Sequence, residues 1–355
     1  MEHGEKTRIA LTDHCKQYPK LQITDIFKFL YQSSFGCGHM VSSEESAIAF
    51  IREEYAAMSS RQSVKTETLD GAYSRAHLSW LDEGLGAHTL GKLFYRSAKE
   101  EPNGEKDLIL KLDIARELVA VGALPFSHRT FDELLSKWQA DSFSAVRHSE
   151  EFRAAYAPAY RVIANEYVKF LPLLARIDRG LCKGSLTVAV EGGSASGKTT
   201  FSKLLSELYD CNVFHMDDFF LRPEQRTEER FAEVGGNVDR ERFFDEVLKP
   251  LSEKRKVSYR RFDCGTQTLC PPITVEPKAL TIIEGAYSMH PSLAPFYDLS
   301  VFLDIGSEYQ AERIRNRNSS ELANRFFSEW IPMEEEYFLK TDIENRCDMI
   351  VKITK

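Results

Sequence analysis

No apolar run in this chain approaches the length needed to span a bilayer, so a transmembrane helix is not expected. The first residues, Met1-Glu2-His3-Gly4-Glu5-Lys6, are polar and lack the apolar stretch of a secretory signal. There is no basic surplus: 46 Lys and Arg face 54 Asp and Glu, a formal charge of −8, which argues against broad nucleic-acid binding. The seven cysteines (Cys15, Cys37, Cys182, Cys211, Cys264, Cys270, Cys347) form no C-x-x-C pair and no His/Cys cluster with zinc spacing. Free thiols in a reducing, cytoplasmic setting are the expectation. Internal repeats and low-complexity tracts are also missing. What is present is a chain of 355 residues, 43% hydrophobic and 28% charged, long enough for two domains and too apolar to be disordered.

One stretch carries a specific chemistry. Gly192-Gly193-Ser194-Ala195-Ser196-Gly197-Lys198-Thr199 fits G-x-x-x-x-G-K-[ST]. The β-branched run Leu186–Val190 before it reads as a buried strand, and Phe201, Leu204, Leu205 and Leu208 after it recur at helical spacing. A glycine-rich turn there aims backbone N–H groups at phosphate oxygens, and the helix N-terminus adds partial positive charge. Lys198 would then bridge the β- and γ-phosphates while the Thr199 hydroxyl ligates Mg²⁺. Binding of a nucleoside triphosphate is expected.

Residues 1–180 are expected to form a separate, mostly α-helical domain. Apolar stripes occur at Ile23, Ile26, Phe27 and Leu30; at Ala47, Phe50, Ile51 and Tyr55; and at Leu108, Leu112, Ala115, Leu118 and Val119. Thr130 reads as the cap of a helix on Phe131, Leu134, Leu135 and Trp138, and Tyr160, Val162, Ile163, Tyr167 and Phe170 as a further helical run. Gly36-Cys37-Gly38-His39, Arg75-Ala76-His77-Leu78 and Gly84-Leu85-Gly86-Ala87-His88 admit two readings, a binding pocket or helix ends with boundary histidines. The charged, glycine-bearing stretch Arg176–Ser185 reads as a connector.

From 181 on, strands alternate with helices, which predicts an α/β, doubly wound parallel sheet. Asn212–Met216 reads as a strand delivering Asp217 and Asp218 to its carboxyl end, where ligands of open α/β sheets collect. A carboxylate there can take the proton of an attacking hydroxyl. Asp239, after Gly235-Gly236-Asn237-Val238, can cap the next helix or accept hydrogen bonds from sugar hydroxyls. Val257–Asp263 reads as a strand, and Ala279–Ile283 as the most strongly buried one, closed by Glu284 where an acid assists Mg²⁺. Leu299–Leu303 and Met349–Val351 are further strands. Arg313, Arg315 and Arg317 suit either a solvated face or a lid over triphosphate charge. Trp330-Ile331-Pro332 reads as a helix restart.

Taken together, Gly192 to Thr200, Asp217-Asp218-Phe219-Phe220, Asn237-Val238-Asp239, Glu284-Gly285 and the arginine helix resemble the uridine kinase family, in the group that includes nicotinamide riboside kinase and phosphoribulokinase. The likeness spans about 186–355 and implies a P-loop NTPase fold with ATP and Mg²⁺ as cofactors. It implies Asp217 as catalytic base with Lys198, and Gly192, Gly193, Ser194, Ala195, Ser196, Gly197, Lys198, Thr199, Thr200, Arg313 and Arg317 on the nucleotide. Thr199 and Glu284 would serve the metal, and Asp239, Tyr259 and Arg261 the acceptor. Where that family reads a pyrimidine, this chain has Tyr259-Arg260-Arg261-Phe262, and two arginines suit an anionic substrate as well as a neutral base. The resulting expectation is a small-molecule kinase acting on a hydroxyl of a nucleoside or related sugar-bearing metabolite, with homo-oligomerisation compatible. The alternative is a nucleotide-dependent switch whose helical half binds a partner.

Overall fold

The computed structural model describes residues 3–37, 41–58, 63–98, 101 and 103–354. Its chain falls into two compact units, Met1–Asp178 and Arg179–Lys355. No helix among the described residues is long and apolar enough to cross a membrane.

The first unit is mainly helical, but it contains a small antiparallel sheet that the helical reading lacked. Strands β1 (Thr66–Leu69), β2 (Tyr73–His77) and β3 (Tyr160–Ala164) lie in the order β1-β2-β3. β3 corrects the helical run expected at Tyr160–Phe170: Tyr160, Val162 and Ala164 follow a period of two and pair with β2, and only Asn165–Val168 is helical. β2 is central and wholly buried, so Arg75 and His77 point into a packed interior.

Most expected helices are present with shifted ends. Ile23–Phe35 buries Ile23, Ile26, Phe27 and Leu30, and Asp25 closes a capping box with Gln22. Glu44–Ala57 buries Ala47 and Ile51 but leaves Phe50 61% exposed, which breaks the expected stripe. The helix His128–Ala140 is capped by Ser127, not Thr130, one turn earlier than expected. Gly84–His88 leads into the helix Ala87–Ser97, whose start is closed by the Asp178 carboxylate accepting from Gly86 N (2.6 Å) and Thr89 Oγ1 (2.9 Å). Asp178 itself lies in the helix Leu171–Leu181, so the stretch read as a connector is helical over its first half. Cys37 is buried; Gly38 and His39 lie outside the described residues.

The second unit is built on a five-stranded parallel sheet. It comprises β4 (Leu186–Gly192), β5 (Cys211–His215), β10 (Leu280–Glu284), β11 (Leu299–Ile305) and β12 (Met349–Ile353), ordered β12-β11-β4-β10-β5. From β4 the chain fills one side of the sheet with β5 and β10, then the other with β11 and β12. The carboxyl end of β4 is therefore the switch point of a doubly wound α/β sheet, the P-loop NTPase architecture. Every residue of β10 is buried, including Thr281 and Glu284, as expected of a central strand in a parallel sheet covered on both faces. Outside the sheet, β6 (Val257–Tyr259) pairs with β9 (Ile273–Val275), and β7 (Phe262–Asp263) with β8 (Thr268–Leu269). The single strand expected at Val257–Asp263 is thus broken at Arg260-Arg261. Arg260 fastens that break through Cys270 O (2.7 Å) and Leu269 O (3.0 Å). The helix expected from Trp330-Ile331-Pro332 is present as Ile331–Thr341, but it continues from Ser320–Arg325 through a π-type turn at Phe326–Trp330 instead of starting afresh.

Candidate nucleotide and acceptor site

β4 ends in the glycine-rich turn because its last residue can only be glycine. Gly192 has φ +148°, and a Cβ there would stand 2.7 Å from the Leu303 carbonyl oxygen on β11. Gly192→Ala is therefore expected to lower stability by about 1–3 kcal/mol, read as an earlier midpoint in urea unfolding; an unchanged midpoint would mean the turn relaxes freely. Gly197, at φ +100°, turns the chain into the helix Lys198–Leu208, whose apolar positions Phe201, Leu204, Leu205 and Leu208 are buried against the sheet. The helix N-terminus is thereby aimed at the space above β4.

Lys198 folds back over this loop and donates to Gly192 O (2.7 Å) and Gly193 O (2.9 Å). The Ser196 hydroxyl is buried inside the loop with no hydrogen-bond partner. An orphaned donor, a lysine and a helix N-terminus converging on one turn fit a polyphosphate. Thr200 is exposed on the first helical turn. Arg313 and Arg317, from the helix Ser307–Arg317, line a cavity of about 480 Å³ with Ala195, Tyr309, Glu312 and Asn316. The Arg313 guanidinium lies 3.6 Å from where a Gly197 side chain would begin.

At the end of β10, Glu284 is 5% exposed and accepts from Thr199 Oγ1 at 3.1 Å. It also holds His215 Nδ1 at 2.5 Å, and that hydrogen bond raises the His215 pKa from its ordinary value. A threonine hydroxyl and a carboxylate are the hard oxygen donors Mg²⁺ prefers. No cluster of three or more His, Cys, Asp or Glu able to hold a metal exists among the described residues. A cation here would complete its shell from phosphate and water, the usual arrangement for Mg²⁺ beside a nucleotide.

β5 ends at His215, and a 3₁₀ turn, Met216–Phe219, carries Asp217 and Asp218. Asp217 reaches water through the cleft mouth, yet the protein around it weakens solvation and raises its pKa. Lys198 opposes that rise and Glu284 adds to it. Asp217 lines a cleft of about 860 Å³ together with Ser194, Asn237 and Glu334. Five aromatic side chains stand in its walls, Phe220, Phe231, Tyr287, Phe326 and Trp330, beside Leu221, Met333 and the polar Gln267 and Glu329. Two arginines also reach it, and both are engaged: Arg226 donates to Leu221 O (2.9 Å), and Arg325 pairs with Glu329 at 3.2 Å.

The cleft does not gather every residue expected at the acceptor. Asp239 is 2% exposed; it caps the helix Arg240–Phe243 and pairs with Arg242 Nε at 3.3 Å. Tyr259 packs in the core between Phe214 and Phe219. Arg261 is exposed and lies close enough to Asp218 to favour its charged form. From the same turn as Asp239, Asn237 is the residue that lines the cleft, and its Oδ1 is buried without a partner.

Three further carboxylate and amide side chains shape the loop. Glu334, from the helix after Pro332, is 6% exposed and accepts from Ser194 N and Ser194 Oγ, both at 2.7 Å. Gln310 Nε2 donates to Ser194 O at 2.9 Å. Glu191, fully buried one residue before the turn, accepts from Gly192 N (2.9 Å), Met289 N (3.0 Å) and Tyr337 Oη (3.2 Å). Burial pushes it up to about 7 despite those bonds and Lys198. Glu334 sits in the run Glu334-Glu335-Glu336, where nothing local separates it from its exposed neighbours. Glu191 carried a faint signal, an acid amid an otherwise apolar strand.

Residues 187–321 match the phosphoribulokinase / uridine kinase family. Within the curated proteins, the chain is 27% identical over 146 residues to a phosphoribulokinase of Synechocystis, covering 39% of this chain and 43% of that protein. It is 28% identical over 149 residues to uridine-cytidine kinase-like 1 of Mus musculus, covering 39% and 27%. The chain thus spans less than half the length of these relatives. A solved structure of a possible uridine kinase from Bacillus stearothermophilus aligns at TM-score 0.39 and 23% identity, covering 50% of this chain and 98% of that one. The likeness to the phosphoribulokinase / uridine kinase family lies within the second unit.

Proposed function

We propose that the uridine kinase-like unit transfers the γ-phosphoryl group of ATP to a hydroxyl of a small molecule with a flat ring, of which a nucleoside is the type. The observation that carries this reading is the roughly 860 Å³ cleft joining the glycine-rich loop at Ser194 to Asp217 beneath aromatic walls. A protein that only sensed nucleotide would have no use for such a space beside the strand-end acid. Aromatic rings favour stacking with a base.

In this reading, the loop N–H groups and Lys198 hold the triphosphate, with Lys198 exchanging the carbonyls of Gly192 and Gly193 for phosphate oxygens. Thr199 and Glu284 would hold Mg²⁺, which supplies charge neutralisation between β- and γ-oxygens. Asp217 takes the proton of the acceptor hydroxyl, and the nearby Asn237 Oδ1 accepts a hydrogen bond from the acceptor. Tyr259, Arg261 and Asp239 would act from behind by fixing the Asp217–Phe220 turn.

A panel of nucleosides, free sugars and phosphosugars, scored for ADP formation above the rate without acceptor, tests this. Turnover with a nucleoside or another ring-bearing alcohol is expected. Turnover only with phosphosugars would overturn the substrate class. ADP release that no acceptor accelerates would favour the switch.

A further inference from the structure

The first unit contains a charged cavity that the kinase reading does not use. It measures about 370 Å³ and is lined by Lys28, Arg147, His148, Arg153, Ala157 and Pro158. Lys28 lies on the helix Ile23–Phe35, and Arg153 on Glu150–Tyr156. Three cationic side chains therefore converge from separate segments on one small space.

Their charge is not cancelled locally. Arg147 and Arg153 have no ion pair among the described residues. The nearby acid, Asp25, is saturated: its oxygens accept from Gln22 N (2.8 Å), Ser149 N (3.1 Å) and Ser149 Oγ (2.6 Å) and meet His148 Nδ1 at 2.8 Å. Lys28 finds only the Val146 carbonyl, at 2.9 Å. Burial pushes its ammonium down to about 8, with Arg75 and Arg147 adding repulsion against the pull of Asp25. The floor is rigid: His148 is fixed by Asp25, by the Tyr160 hydroxyl at 2.6 Å and by stacking on Phe152 at 4.3 Å. Ala157, in the cavity wall at φ +41°, ends the helix Glu150–Tyr156 by donating its N–H to Arg153 O.

Like charges held together beside a single, already engaged acid raise the energy of the empty site and lower that of a site holding an anion. Two arginine forks and an ammonium match the oxygens of a tetrahedral dianion better than a single carboxylate. The volume lies at the small end of ligand pockets. We propose that this cavity binds a phosphate dianion, either inorganic phosphate or the phosphate of a small ester, at a site separate from the glycine-rich loop.

The test is calorimetric titration of the full chain at fixed ionic strength, with inorganic phosphate and with glycerol 3-phosphate. Lys198→Ala serves as background so that the glycine-rich loop contributes little. One phosphate per chain is expected, and Arg147→Ala/Arg153→Ala should weaken it by about tenfold or more, since each charge-assisted contact is worth roughly that factor. Both arginines are exposed, so the double variant should keep the background's melting temperature. Should it not, Arg153→Gln alone provides the same comparison. Tighter binding of the ester, or of free phosphate, identifies the natural form, and both support the site. Phosphate binding that is absent, or that persists unchanged in the folded arginine variants, overturns it.

Discussion

Lys198→Ala is expected to reduce turnover by at least about 10²–10³-fold while the protein keeps its melting temperature. Lys198 is half-buried and spends its ammonium on two loop carbonyls, so its removal takes no apolar contact from the core. What it removes is a mobile positive charge that can follow the γ-phosphoryl group as charge moves onto the leaving oxygen. The measurement is kcat with the acceptor found by the panel, alongside a thermal melt. Parent-like turnover would remove the glycine-rich loop from the chemistry. Lost turnover with a lowered melting temperature would instead assign Lys198 a structural part in closing the loop, and Lys198→Met, which keeps the aliphatic stem, would separate the two.

Asp217→Asn carries the second large effect. The amide keeps the size and most hydrogen bonds of the carboxylate but has no basicity, and losing a general base costs about 10²–10⁴-fold in rate. ATP binding should change little, because the phosphates face backbone N–H groups and Lys198. Asp218→Asn is the control: its carboxylate faces Arg261 and Arg242 rather than Lys198, so a smaller effect is expected. The pH dependence gives an independent check. The surrounding protein weakens the solvation of Asp217 and raises its pKa above the ordinary carboxylate value, so a larger share of it is protonated as the medium turns acid, and protonated it cannot act as base. In the parent, kcat/KM should therefore fall on the acid side through a pKa higher than that of a free aspartate. In Asp217→Asn that limb should vanish. If Asp218→Asn is the inactive variant and Asp217→Asn the active one, the base is the neighbouring residue. If both stay near full rate, phosphoryl transfer at this turn is wrong.

How far the sequence reached can be read from particular residues. Local patterns alone placed Leu186–Gly192, the turn after it and the helix from Lys198, because a β-branched run, a glycine-rich turn and a 3.6-residue stripe are each decided within a few residues. The same holds for Leu280–Glu284, whose Leu280, Ile282 and Ile283 with the β-branched Thr281 suit a strand buried on both faces. Glu284 could be singled out because a strand's last residue is a position in sequence as well as in space, and Asp217 because it follows the strand Cys211–His215 within one turn.

The tertiary structure decided what depends on partners far along the chain. Tyr160–Ala164 became a strand because β2 supplied an edge for it, and a helical reading of Val162 and Ile163 had no access to that partner. Arg75 lies buried on a central strand because Glu67 and Gln32 meet it at 3.0 and 2.9 Å, and no local rule announces such a pairing. Asp239 had two readings within its own turn, and Arg242 with the buried Phe219–Phe243 packing drew it into a cap while Asn237 was left facing the cleft. Glu334 reached Ser194 across 140 residues. Residue type and local spacing determined which groups could do phosphate chemistry in this protein. Which of them share one cleft was set by long-range packing, since the distance between two side chains is fixed by the elements that carry them and not by the sequence that separates them.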